Sequence, residues 1–398
     1  MKLQLLQSFV LTAGIAISAR AQLAIQCIEP NSETGTSAAV SVGNLPLAHT
    51  AQMLPLDKSG ALVGKGDVSI QSQQVLSNLA AVLTAANSDL AVTIKLNVYL
   101  SQSNTMPLVQ RAIARRFKAP ITPAVSFVVS GLAEADALVA MDAVSVARIS
   151  NPDPRRTPLT YDERGAQHYR VLPPGTTYYV SGMADTNALP LATVKTLEKL
   201  VATIGQLGLQ KKDIIQLKAF LQPISDVAVV RKQIVDFFGG NAPPISFVEW
   251  ISPAPNPPIE IELVASGSGD FRKEPEAVSF LTPPGTTSTK VFSRVARVNH
   301  GKMIYVSGLH GIKAQDAEGQ VREIFGSLGE ILKQAGGDFE NLVKATYYVS
   351  DNAASDKLND IRLEFFNPQR PPAASKAKVK GAGPAGKTVT FDMIAVGK

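Results

Sequence analysis

The chain has 398 residues, enough for two to four ordinary domains. Hydrophobic residues make up 45% and charged residues 18%, which excludes a disordered chain. The formal net charge of +6 is a small excess with scattered bases, and it makes no case for a nucleic-acid partner.

The N-terminus has the pattern of a signal peptide over residues 1–21. Lys2 is the basic start, residues 9–17 are a short apolar core, and Ala19-Arg20-Ala21 is a small-x-small cleavage site before Gln22. The core is too short to span a bilayer, and no later run is long and apolar enough to do so, so no membrane contact is expected after signal removal. The expected location is secreted or periplasmic; read instead as an apolar N-terminal strand, the same residues leave the protein cytoplasmic. The single cysteine, Cys27, cannot close an internal disulfide, so stability must come from packed cores.

The first third predicts a strand at 47–51, a turn at 54–60 and a helix at 69–86. Val75, Leu76, Leu79, Val82 and Leu83 form the inward face of that helix. A strand at 92–100, a helix at 107–117 and strands at 123–129 and 138–147 follow. Residues 151–158, rich in proline, are a linker. The same order then repeats: strand 178–183, helix 191–207, strand 214–221, helix 227–238, strands 243–250 and 259–265. Ser266-Gly-Ser-Gly-Asp270 is a second linker. The last third is clearest, with strand 302–308, helix 317–335 stopped by Gly336-Gly337, strand 342–349, helix 355–366 closed by Pro368, and strands 374–379 and 388–396 around a glycine-rich loop. Tyr178-Tyr-Val-Ser-Gly-Met183 parallels Ile304-Tyr-Val-Ser-Gly-Leu309.

Val306-Ser307-Gly308, the L-x-x-I-L-x-x-A-G run ending at Gly336 and the R-P-P-A-A-S run ending at Ser375 together resemble the RidA (YjgF/enamine-imine deaminase) family. The resemblance covers nearly a whole family subunit. It implies an α+β fold of the RidA/chorismate-mutase-like kind, a mixed sheet with two helices on one face, in three tandem units: 22–150 (divergent), 160–266 and 271–398. Family subunits are homotrimers with a small-molecule cleft at each boundary. Three units in one chain are therefore expected to form an internal pseudo-trimer, monomeric in solution; the alternative is three beads pairing with other chains.

The resemblance also assigns positions. The family holds a substrate carboxylate with an arginine on the penultimate strand. That place is Val125, Ile245 and Ala374 in the three units, so none keeps it. Glu260 matches the family glutamate, with Ala140 and Thr390 in its place elsewhere. Asn359 matches a cleft asparagine, with Gln110 and Arg231 in its place. Ser181-Gly182 and Ser307-Gly308 keep the strand-end Ser-Gly, and unit one has Ala51-Gln52. The candidate catalytic residue is Glu260, and the candidate ligand-binding residues are Ser181, Gly182, Ser307, Gly308, Asn359 and Lys376.

Lys376, Lys378 and Lys380 share one strand face, where Lys376 either anchors a small carboxylate or guards a solvated edge. The four histidines have no metal-ligand spacing, and no metal or cofactor is expected. Arg111, Arg115 and Arg116 form a solvated helix face without interleaved aromatics, so no nucleic-acid partner is expected there. The resemblance implies deamination of reactive 2-imino acids. The missing arginines leave open a lapsed relative that binds an imine-like or carboxylate metabolite, or an exported protein-interaction scaffold.

Overall fold

The computed structural model describes residues 24–148, 165–251 and 257–397. The signal peptide at 1–21 and the linker at 151–158 lie outside the described residues. Among the described residues, no helix is long and apolar enough to cross a membrane.

The first stretch contains β1 (Ile25–Asn31), β2 (Thr36–Val42), β3 (Leu47–Thr50), α1 (Val68–Ala85), β4 (Thr93–Leu100), α2 (Met106–Arg116), β5 (Ala124–Val129) and β6 (Val139–Val146). The second contains β7 (Tyr169–Leu172), β8 (Thr176–Asp185), α3 (Leu189–Gly205), β9 (Ile214–Leu221), α4 (Val227–Phe237), β10 (Ile245–Glu249) and β11 (Ile259–Gly267). The third contains β12 (Val278–Leu281), β13 (Val295–Val298), β14 (Lys302–Val306), α5 (Ala317–Gln334), β15 (Leu342–Val349), α6 (Asn352–Ile361), β16 (Ala373–Lys378) and β17 (Val389–Gly397). The class is α+β with mixed sheets, as expected. Most boundaries shift by a few residues from the sequence reading, and two of the shifts bear on the linkers and caps. Strand β11 runs through Gly267 into the expected linker, and α6 ends at Ile361, giving way to a 3₁₀ turn at Arg362–Glu364.

Side-chain caps set the starts of α1, α5 and α6. Asp67 accepts from Ser69 N and Ile70 N at the start of α1, Asp316 from Gly319 N at α5, and Asp351 from Ala354 N at α6. Each helix pair covers one sheet face with its apolar stripe. Leu79, Leu83, Val109 and Ile113 meet Leu96 and Val98. Leu200, Ile204, Val230 and Ile234 meet Leu217 and Ala219. Phe325, Leu328, Leu358 and Ile361 meet Ala345 and Tyr347.

The opposite sheet faces meet each other. Tyr99, Phe220 and Tyr348, from β4, β9 and β15, share one buried cluster, and Val40, Ile94, Ile215 and Tyr305 share another. The pairing of strands explains how. The larger sheet runs β16-β15-β17-β14-β2-β5-β4-β6-β3-β7 with β1 on β2, and the smaller runs β10-β9-β11-β8-β13-β12. At three tight turns the chain leaves one set of partners and joins another: β2 pairs β14 while β3 pairs β6 and β7, β7 pairs β3 while β8 pairs β11 and β13, and β13 pairs β8 while β14 pairs β17 and β2. Each stretch thus lends its leading strand to a neighbour, which ties the three together through backbone hydrogen bonds.

Candidate functional site

The expected site residues fall in three separate places. The richest lies where β8 and β11 meet β13 and β16. Between Val180 and Met183, β8 carries one residue more than its partner β11 does between Leu263 and Ile261, so Ser181-Gly182 bulges out of the ladder. The bulge offers both residues to the neighbouring strands. Ser181 Oγ donates to Ser293 O at 2.6 Å and accepts from Ala374 N at 2.7 Å, and Ser181 N donates to Arg294 O at 3.0 Å. Ser181 is therefore spent on joining strands.

Glu260, at the start of β11, lays its carboxyl against the Cα of Gly182, where only glycine leaves room. Burial pushes the carboxyl up to about 7, the Ser375 hydroxyl pulls back, Glu262 pushes further, and Lys344 and Arg294 pull back. Ser375 Oγ is buried and approaches the carboxyl without completing a hydrogen bond. Arg294 is buried, lies over the Phe292 ring at 5.2 Å, donates from Nη1 to Gly182 O at 3.0 Å and leaves its Nε without a partner. Glu260 and Arg294 feel each other's charge but do not close an ion pair. The arrangement places a carboxyl poised to gain or lose a proton near neutral pH beside an unspent guanidinium donor.

Lys376 and Asn359 come together elsewhere. Lys376 points to the helix side of β16, opposite to Ser375, and donates to Ser355 Oγ at 2.9 Å and Asn359 Oδ1 at 3.0 Å. Arg362 Nη2 also donates to Asn359 Oδ1, at 2.9 Å. Strand β16 is an edge, but Lys376 is half-buried rather than solvated; burial first, then Arg362, hold its ammonium below the usual lysine range.

Ser307 and Gly308 form a third place, against the first stretch. Ser307 Oγ donates to Ser37 O at 2.7 Å and accepts from Val125 N at 2.8 Å, and Gly308 N donates to Val125 O at 3.0 Å. Thr390 stands where Glu260 stands in the first place, its hydroxyl buried and unpartnered. At the remaining boundary Gln52 fills the space, with N donating to Ile245 O and Nε2 to Phe247 O, both at 3.0 Å, and Ala140 offers no carboxyl. Arg294 went unread in the sequence because β13 is four residues long and gives no period to detect. Among the described residues, no three His, Cys, Asp or Glu side chains gather to hold a metal.

The model of the family described as endoribonuclease L-PSP matches residues 28–147 and 286–396. A 2-iminobutanoate/2-iminopropanoate deaminase from Capra hircus is 35% identical over 104 residues, 24% of this chain and 73% of the relative. A RutC family protein from Pyrococcus horikoshii is 32% identical over 109 residues, 27% of this chain and 84% of the relative. A solved Rid family protein from Yersinia pestis, itself of unknown function, covers 31% of this chain and 98% of its own, with 27% identity and a TM-score of 0.29.

Proposed function

The chain belongs to the endoribonuclease L-PSP family, with RidA (YjgF) proteins among its relatives, and from that premise we propose that it hydrolyses 2-imino acids at one cleft, between its second and third units. The observation that carries the reading is the Glu260 carboxyl, held against Gly182 and raised to about 7. In the ionised form it takes a proton from water as the water oxygen bonds to the imine carbon. Starting from the protonated imine, the protonated form then returns that proton to the carbinolamine nitrogen, and as the C–N bond breaks the hydroxyl proton passes to the departing ammonia, leaving ammonium and a 2-oxo acid. A pKa near the operating pH suits a group that performs both steps. Arg294, rather than Lys376, is the cation beside that carboxyl, and it is the candidate holder of the substrate carboxylate.

The chain is further read as an internal pseudo-trimer of three units, monomeric in solution. Three helix pairs on three cores support this, as does the lending of leading strands between stretches. A trimeric mass in light scattering would overturn it. The two boundaries closed by Gln52 and Ser307 support a second role for those units, as scaffold around a single working cleft. The reading does not extend to RNA: Arg111, Arg115 and Arg116 line an exposed face of α2.

The test is imine hydrolysis by the full chain, with 2-imino acids generated in place by an amino-acid oxidase. Acceleration over buffer that is lost in Glu260→Gln is the expected result. A rate equal to buffer overturns the enzymatic reading.

A further inference from the structure

The centre of the molecule holds charges that the cleft does not use. An outer cavity of about 540 Å³ is ringed by the three tight turns, with Asn44, Gly175 and His300 at its rim and Leu47, Thr177 and Met303 at its floor. Two residues further along the same three strands, His49, Tyr179 and Tyr305 line an inner cavity of about 60 Å³. That step is about 7 Å in an extended strand, so the two cavities stack along one axis. Beyond the inner cavity Tyr99, Phe220 and Tyr348 close the far end, with Phe220 and Tyr348 centroids 6.5 Å apart.

Three lysines and two acids line the inner cavity, and a third acid, Asp142, lies behind its Asn97. Lys95 pairs with Asp392 at 2.6 Å, and Lys344 pairs with Glu262. The third acid, Asp142, accepts from three neutral donors: Asn97 Nδ2 at 2.7 Å, Tyr99 OH at 2.6 Å and Ser246 Oγ at 2.8 Å. On β9 the place equivalent to Lys95 and Lys344 is Gln216, and the lysine stands two residues on, at Lys218. Lys218 lies opposite Glu262 in the β9–β11 ladder, but Lys344 already holds that carboxylate. Among the described residues Lys218 has no hydrogen-bond or ion-pair partner, and it faces the cavity. Burial opposes its charge, but Tyr348, Tyr99, Asp392 and Glu262 favour the charged form through space and hold the ammonium well above the usual lysine range. Both carboxylates are already in ion pairs, and no acceptor among the described residues touches its N–H donors.

Two buried acceptors face the same space. His49 donates from Nδ1 to Gln216 Oε1 at 3.0 Å, because the Gln216 amide nitrogen is already donating to Thr50 O. Its Nε2 is then a bare acceptor, buried and unpartnered, and so is Asn97 Oδ1. The cavity therefore asks for negative charge at Lys218 and for a donor at His49 or Asn97. A halide or nitrate supplies only the first.

We propose that the inner cavity binds one small monovalent oxyanion that carries its own O–H, of the bicarbonate class, with its charge on Lys218 and its hydroxyl donated to His49 Nε2 or Asn97 Oδ1. The volume has room for about four waters at roughly 10–15 Å³ each, which matches four non-hydrogen atoms. Entry is from the outer cavity, since the aromatic layer blocks the other end. The site needs strands from all three stretches, so occupancy stabilises the assembled chain over its parts.

The experiment is thermal unfolding of the full chain at constant ionic strength and pH 8, titrated with bicarbonate, nitrate or chloride, in wild type and Lys218→Met. A saturable rise in melting temperature with bicarbonate, smaller with nitrate and chloride and absent in Lys218→Met, is expected. A flat response in wild type means that water alone fills the site and Asp392 and Glu262 suffice for Lys218 through space, which overturns the proposal. Equal rises with all three anions, or an unchanged bicarbonate response in Lys218→Met, also overturn it. The comparison of anions in wild type decides even where the variant fails to fold.

Discussion

A β-carbon on Gly182 would stand 1.9 Å from Glu260 Oε1 and 2.4 Å from its Cδ. Nothing else in the cleft is held so closely, and the contact makes a sharp prediction. Gly182→Ala forces the carboxyl out of its seat. Imine hydrolysis should fall at least ~10-fold in kcat/KM, because a reacting group displaced by about 1 Å loses its geometry. Gly308→Ala is the control. Its β-carbon meets Ser126 at 3.0–3.1 Å, at a boundary where Thr390 stands in the place of Glu260, and activity should survive.

Glu260 also links pH to stability. Its folded-state carboxyl sits at about 7, above the ordinary 4.5 of an unfolded glutamate. Between those values the folded chain binds the proton and the unfolded chain does not, so stability from this group is present below pH 4.5 and is lost as pH rises through 7. Glu260→Gln removes the cost of ionising a buried acid. The variant should be more stable than wild type above pH 7, by up to about 3 kcal/mol, with the difference vanishing below pH 4.5. Denaturant unfolding at several pH values reads this directly. The same variant should lose hydrolysis at every pH, whereas wild-type kcat/KM should rise through pH 7 and level off.

Much of this was legible in the sequence where side-chain period was strong. Strands β9 and β15 begin and end where alternation places them, and α5 follows its stripe of Val321, Ile324, Phe325 and Leu328. Strands β1, β2, β7, β12 and β13 were not legible. Strands β7, β12 and β13 are four residues long and β2 is largely buried, so they carry no clean alternation, while β1 is mostly exposed and pairs with its chain neighbour β2. The candidate site suffered from the same gap. Glu260 and Gly182 were picked by position within a motif, but Arg294 immediately precedes β13, and its closeness to Glu260 is a consequence of that strand joining β8. Lys376 and Asn359 were picked separately and are joined by a hydrogen bond, yet strand alternation turns them away from Glu260.

Arg294 and Lys376 can be told apart by substrate charge. If Arg294 holds the carboxylate, Arg294→Ala should raise KM for 2-imino acids about 10-fold or more while leaving an uncharged imine unaffected. Lys376→Ala should leave both nearly unchanged and lower the melting temperature slightly, by freeing Asn359 and Ser355. The reverse pattern, with Lys376→Ala alone raising KM for the charged substrate, would assign the anchor to the helix side of β16.

Lys344 and Glu262 form an ion pair that crosses from the third stretch to the second, with both side chains almost wholly buried. Burial alone drags the Lys344 ammonium below its usual range, and Glu262 pulls it back. Removing one partner strands the other charge in a place water barely reaches. Lys344→Met should therefore destabilise the chain by about 3–5 kcal/mol. Replacing both partners, as Lys344→Met with Glu262→Leu, should recover most of that loss, because neither charge remains to be desolvated. Lys95 and Asp392 join the third stretch to the first in the same way at 2.6 Å, so the predicted loss should appear as an earlier midpoint of one cooperative transition. Unfolding curves followed by far-ultraviolet circular dichroism and by Trp250 fluorescence would check this. Coincident midpoints in wild type and in both variants are expected from stretches tied together at their charged centre. Separated midpoints in Lys344→Met alone would mean that this pair, more than the shared strands, couples the second stretch to the third.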